Sequence, residues 1–237
     1  MDTSLQELLR TLLQSGTESN PALNVLIDAY ARYHLVLVVV GGLFLVALIV
    51  LIVFMWRRFA RAPRATSRTW TFEKWVYFSF GVLSVLVAVV MAVIVAANVS
   101  TAMHPREGFA GSISMLGTPQ PGTPTDAVYR SVYTWLESGS AATPPELQAQ
   151  VDERLGWQRP KAIVCGVLLV VFASLSAFIW RALIRRSRDP AARWSLRRTA
   201  LLLLGMITVL VCLLLMLMVM GNTQGSLAPI SLTLFLG

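Results

Sequence analysis

Residues 35–56 read LVLVVVGGLFLVALIVLIVFMW, 22 positions without a charge, and Arg57 and Arg58 follow at once. At 1.5 Å per residue a helix of that length covers about 33 Å, enough to cross a hydrocarbon core of about 30 Å. The run does not alternate polar with apolar residues, so it reads as a spanning helix and not as a barrel strand. Three further runs, at residues 76–97, 162–180 and 199–220, have the same character, and none of the four has an ionisable Asp, Glu, His, Lys or Arg in its interior. Over all 237 residues 56% are apolar and 14% charged, with a mean hydropathy of +0.66. Soluble domains run at about 45–50% apolar and about 25% charged. The expected fold class is an all-α integral membrane protein with four transmembrane helices.

The net charge of +8 raises the question of a nucleic-acid partner, and its distribution answers it. Arg57, Arg58, Arg61, Arg64, Arg68 and Lys74 lie between the first two runs, and Arg181, Arg185, Arg186, Arg188, Arg193, Arg197 and Arg198 between the last two. These two short loops hold 13 of the 20 basic residues against only Glu73 and Asp189. Short loops rich in Lys and Arg stay in the cytoplasm. Both loops are therefore expected inside the cell membrane and both termini outside, and the charge needs no nucleic acid to explain it. Trp56 and Trp180 at the inner ends of their runs, with Tyr33 and Trp157 near the outer ends, suit interfacial belts. No basic segment precedes the first apolar run, so no cleavable leader is expected. Arg outnumbers Lys 18 to 2, which fits a GC-rich bacterial genome.

The halves of the chain resemble each other. A shift of 124 positions aligns residues 21–98 with 145–222 without a gap, giving 20 identities in 78 positions. Trp56 meets Trp180, Trp70 meets Trp194, Gly81 meets Gly205, Asp28 meets Asp152 and Asn98 meets Asn222. The expected organisation is a first unit at 1–117, a Pro/Gly/Thr linker at 118–125 and a second unit at 126–237. A two-span unit keeps its orientation when it is duplicated, so the two tandem two-helix repeats should be related by a pseudo-two-fold axis along the membrane normal. Short amphipathic helices are expected on the outer side. Ser4 and Glu7 have capping-box spacing ahead of Leu5, Leu8, Leu9, Leu12 and Leu13; Asp126 is placed to cap a helix carrying Tyr129, Val132, Tyr133 and Leu136; and Thr143–Glu146 is a further capping box. Ser15-Gly16 and Ser138-Gly139 read as breaks. The last residues, with Ile230, Leu232, Leu234 and Leu236 alternating, suit an extended segment with one buried face.

Few residues carry chemistry. His34 and His104 are the two histidines, and no paired Cys/His spacing, HExxH, Walker loop, dinucleotide fingerprint or nucleophile elbow occurs. Cys165 and Cys212 fall inside apolar runs, where thiols act as small hydrophobes. No cofactor or metal is expected, and no enzyme. Gly81, Ser84, Ala88, Ala92 and Ala96, with Gly205 and Thr208 in the second half, form a small-residue face for close helix packing or for a partner. Arg57, Arg61, Arg64, Trp70, Arg181, Arg185, Arg188 and Trp194 are the candidates for anionic-lipid contact. Asp28 and Asp152 read as solvated helix-face charges, and Asn98 and Asn222 as helix ends. The spans lack the charges or broken helices that mark ion-coupled transport sites. The expected function is that of a non-catalytic membrane scaffold or accessory subunit, associating with another membrane protein or with itself. The alternative is an oligomeric channel or transporter component with a path lined by apolar or small residues.

Overall fold

The computed structural model describes residues 4–15, 20–63, 70–187 and 196–236; of these 89% are helical and none is in a strand. Eight α-helices follow in order: α1 (Leu5–Gln14), α2 (Pro21–Arg61), α3 (Phe72–Met103), α4 (Pro105–Ser112), α5 (Pro124–Ser138), α6 (Pro145–Ser187), α7 (Leu196–Leu227) and α8 (Pro229–Leu236), with a 3₁₀ turn at Ile113–Met115 after α4. Four of them, α2, α3, α6 and α7, are long and apolar enough to cross a membrane.

Local chemistry sets most of the helix ends. Ser4 caps α1, its hydroxyl accepting from the Glu7 N–H, which satisfies one of the orphan donors of the first turn. Asn20 does the same for α2: its Oδ1 accepts from the Leu23 N–H at 3.0 Å while its Nδ2 donates to the Leu136 carbonyl at 2.8 Å. The cap of α5 is Thr123 and not Asp126, because Pro124 occupies the first helical position and moves the start forward. Asp126 instead accepts from the Gly122 N–H and pairs with Arg130 one turn on. Gly139 ends α5 in the left-handed region at φ 65°, where a Cβ would be strained. The tail is not extended: Pro229–Leu236 is a helix, with Ser231, Thr233 and Leu234 buried. A proline at the first turn favours that start, and a short apolar run has no periodicity strong enough to separate strand from helix.

The two longest helices run without a break from polar sequence into apolar sequence. In α6 the run passes through Pro160, which has no N–H to give to the Gly156 carbonyl one turn earlier.

The chain divides into two compact units that interleave along the sequence. Unit 1 comprises Met1–Val39, Val95–Ala162 and Gly221–Gly237; unit 2 comprises Val40–Ile94 and Ile163–Met220. Unit 1 has a conventional apolar core. Leu9 from α1, Leu23 from α2, Val132 and Leu136 from α5, Leu147 from α6 and Leu234 from α8 belong to one cluster with Phe109 and Ile113, and all are fully or almost fully buried. Tyr129 closes it on one side, its phenol donating to the Leu234 carbonyl at 3.3 Å, and burial raises its pKa above the ordinary tyrosine value.

Unit 2 is built differently. On each of its helices a series of withdrawn positions advances by alternate steps of four and three: Gly41, Leu45, Leu48, Ile52, Met55 and Phe59 on α2; Tyr77, Gly81, Ser84, Ala88 and Met91 on α3; Cys165, Leu169, Phe172, Ser176, Ile179 and Leu183 on α6; Gly205, Thr208, Cys212 and Leu215 on α7. That mean spacing of about 3.5 residues is the seam of left-handed helix packing. The opposite faces are apolar and open: Leu43 is 67% exposed, Val50 64% and Phe178 72%.

Phe109→Ala should test the unit 1 core. The ring is 1% exposed and packs edge-on against Tyr30 at 5.6 Å, so its loss should cost about 3–5 kcal/mol. Met115→Ala, at a side chain 76% exposed, should stay within about 0.5 kcal/mol. Denaturation of the detergent-solubilised protein checks both.

Candidate functional site

Within unit 1 each long helix contributes a polar side chain to a region bordered by apolar sequence. The His34 Nδ1–H on α2 donates to Asn98 Oδ1 on α3 at 2.6 Å. Gln224 on α7 is buried and donates through Nε2 to the Tyr33 carbonyl at 3.2 Å. Gln158 on α6 is buried too, and its Oε1 meets no donor among the described residues. The Gln158 amide lies across Gly225, where a Cβ would collide with it. Tyr30 packs edge-on against the His34 ring at 4.5 Å and donates its hydroxyl to the Gly108 carbonyl at 3.1 Å. The layer therefore consists of amides, an imidazole and phenols. Its chemistry is hydrogen bonding between helices, where an unmade bond is costly. Among the described residues no group of three His, Cys, Asp or Glu side chains could hold a metal.

Of these side chains the sequence pattern singles out His34 and Asn98, and passes over Gln158 and Gln224. A signal is nonetheless present, since the 124-position shift sets Gln158 opposite His34, polar against polar beside an apolar run.

The small-residue face divides. Gly81, Ser84 and Ala88 are buried in unit 2, as are Gly205 and Thr208, whose hydroxyl donates to the Gly205 carbonyl at 2.8 Å. Ala92 and Ala96 are exposed, and Met91 takes the next buried place. The reason is geometric. Steps of four residues rotate about 40° each around a helix, so a strict every-fourth-residue stripe leaves a seam that alternates fours and threes.

Two indoles rest on glycines of this seam. A Cβ on Gly81 would lie 3.4 Å from Trp56 Cε2, an ordinary contact, whereas one on Gly205 would lie 3.1 Å from Trp180 Cε2 and 3.3 Å from Ile179 Cγ2. The Trp180 indole N–H also donates to the Gly205 carbonyl at 3.3 Å.

At the basic ends Arg57, Arg61, Arg181 and Arg185 are exposed and Trp70 is 39% exposed. Arg64, Arg188 and Trp194 lie outside the described residues. Asp28 and Asp152 are both exposed; Asp152 accepts from Gln148 at 2.9 Å. An open recess of about 480 Å³ in unit 1 is lined by Ser131, Thr134, Ser138, Ser140 and Glu146. Its one indole, Trp135, is committed to the Ser140 carbonyl at 2.7 Å, and the Ser138 hydroxyl donates to the Trp135 carbonyl at 2.8 Å.

Gly81→Ala and Gly205→Ala should part company. Replacing a helical glycine by alanine favours the helix by about 1 kcal/mol, and at Gly81 the space is sufficient, so stability should hold or rise. At Gly205 the rigid indole must give way and its hydrogen bond lengthen, so overpacking of about 1–3 kcal/mol should outweigh that gain. Thermal unfolding of the two variants in detergent separates them. No protein-family model, no curated protein and no solved structure matches this chain.

Proposed function

We propose that the protein is a non-catalytic membrane scaffold, or accessory subunit, that works by associating with another membrane protein or with a second copy of itself. The division of α3 carries this reading. Gly81, Ser84 and Ala88 are consumed by packing within unit 2, while Ala92 and Ala96, equally small, remain exposed on an apolar helix. Small residues let a second backbone approach closely, which matters in lipid because association there relies on packing. The apolar faces point the same way: of the most apolar 18-residue stretch of α2 only 6% is buried. The spans contribute no ionisable group at depth that a pump or enzyme would use.

The architecture behind this function is, in our reading, a tandem duplication of a two-span unit, its halves related by a pseudo-two-fold axis along the membrane normal. Support comes from the withdrawn positions. The four-and-three series of α2 and α6 coincide at the 124-position shift from Gly41 and Cys165 to Phe59 and Leu183, and those of α3 and α7 from Gly81 and Gly205 to Met91 and Leu215, while Phe44, Val209 and Leu213 are withdrawn where Leu168, Val85 and Val89 are exposed. The Trp56–Gly81 and Trp180–Gly205 contacts correspond in the same way. The membrane is the cell membrane of a bacterium, with both termini outside and the two arginine loops in the cytoplasm. The positive-inside bias of those loops supports that orientation.

Ala92→Leu and Ala96→Leu test association. Because both positions are exposed, the variants should fold like the wild type and lose the protein, or the second copy, that co-purifies in mild detergent. Ala88→Leu, in the seam, should instead destabilise by about 1–3 kcal/mol. Wild-type protein that purifies alone as a monomer, and conducts ions or moves a solute in liposomes, would replace the scaffold by a channel or transporter component.

Orientation has its own test. A cysteine introduced at Ser187 should resist a membrane-impermeant thiol reagent in intact cells and react after permeabilisation. Labelling in intact cells would reverse the topology.

A further inference from the structure

The two basic ends are alike in charge and unlike in aromatic content. Where α2 ends and α3 begins, Phe59, Trp70, Trp75 and Phe78 form a connected group: Trp70 lies 5.3 Å from Phe59, 5.0 Å from Trp75 and 5.1 Å from Phe78, centroid to centroid. Lys74 is drawn into the group, its Nζ 5.1 Å from the Phe59 ring and 5.8 Å from the Trp70 ring. Residues 124 positions later are Leu183, Thr199 and Leu202 in place of Phe59, Trp75 and Phe78, and Leu183 is fully buried. Among the described residues the aromatic platform therefore belongs to the α2–α3 hairpin.

The platform is open. Trp70 is 39% exposed and Trp75 54%. Among the described residues no carboxylate forms an ion pair with Lys74, Arg57, Arg58 or Arg61, and Glu73 is buried. A lysine held on ring faces keeps its donors for an external acceptor, and indoles at a hydrocarbon boundary present an apolar body with one polar N–H. Cations that form no ion pair with a carboxylate among the described residues, beside an apolar edge, complement a molecule that joins a phosphate to acyl chains.

We propose that this hairpin end is a binding site for an anionic phospholipid. Lys74 contacts the phosphate, Trp70 and Trp75 support the glycerol and upper acyl region, and Arg57, Arg58 and Arg61 supply the surrounding positive field. The site is independent of the scaffold reading and holds whether or not a protein partner exists.

The test is tryptophan quenching in phosphatidylcholine bilayers that contain a minor fraction of brominated phosphatidylglycerol or, at the same fraction, brominated phosphatidylcholine. The signal read is the part of the quenching that disappears in Trp75→Phe. Brominated phosphatidylglycerol should quench that part several-fold more than brominated phosphatidylcholine. Lys74→Gln should abolish the excess and Lys74→Arg should retain it. Lys161→Gln should leave it unchanged, although Lys161 also sits over an indole, 4.3 Å from the Trp157 ring. Equal quenching by the two lipids overturns the proposal, as does an excess that survives in Lys74→Gln with the helical content unaltered. An excess abolished by added inorganic phosphate assigns the site to a soluble anion and removes the lipid.

Discussion

A peptide group in hydrocarbon has no water to bond, so its N–H and C=O must find partners within the protein. That constraint shapes this chain more than any single contact. It accounts for helices of 41 and 43 residues, α2 and α6, which run on instead of stopping where their apolar stretches begin. It also accounts for the passage through Pro160, since ending α6 there would have left a whole turn of donors and acceptors unpaired in place of one carbonyl. The same pressure favours the helical tail Pro229–Leu236, where an extended strand without a neighbour would leave every backbone group unmatched.

Within that constraint the two units are stabilised by different means. Unit 1 buries leucines, valines and aromatics from both halves of the chain around Leu9 and Val132, as a soluble domain does. In unit 2 the surroundings are as apolar as the side chains, burial offers little, and close approach takes over; hence Gly81, Ser84, Gly205 and Thr208 on its seams and indoles laid on glycine. The polar side chains His34, Asn98, Gln158 and Gln224 belong to unit 1, where directional hydrogen bonds fix which helix faces which more sharply than apolar contacts can.

Hydropathy made the four spans legible, because charge is excluded from apolar depth so strongly that few other signals are needed. Caps and breaks with a side-chain mechanism were legible too, as at Ser4 and at Ser138-Gly139. What escaped depends on competition between local rules. Pro124 displaced the cap of α5 from Asp126 to Thr123, and the eight residues Pro229–Leu236, with Ser231 and Thr233 set between apolar ones, carried both a period-two and a helical pattern. The every-fourth-residue stripe from Ser84 to Ala96 looked like one face only because a 40° drift per step is invisible in a linear string. Gln158 and Gln224 were hidden for another reason: a glutamine near the end of a span looks like any residue reaching for water until its partners, Gly225 and the Tyr33 carbonyl, are seen.

The interleaving of unit 1 bears on biosynthesis. α1 packs against α5 and the Ile113–Met115 turn, so its buried Leu9 cannot be covered until α2, α3 and α4 have been made. Until then the apolar stripe of α1 waits uncovered, a long-range closure of the kind that slows folding and favours aggregation. A nascent chain arrested after α3 would carry two long apolar helices with the stripe of α1 still open, a form well suited to recognition by chaperones and membrane proteases.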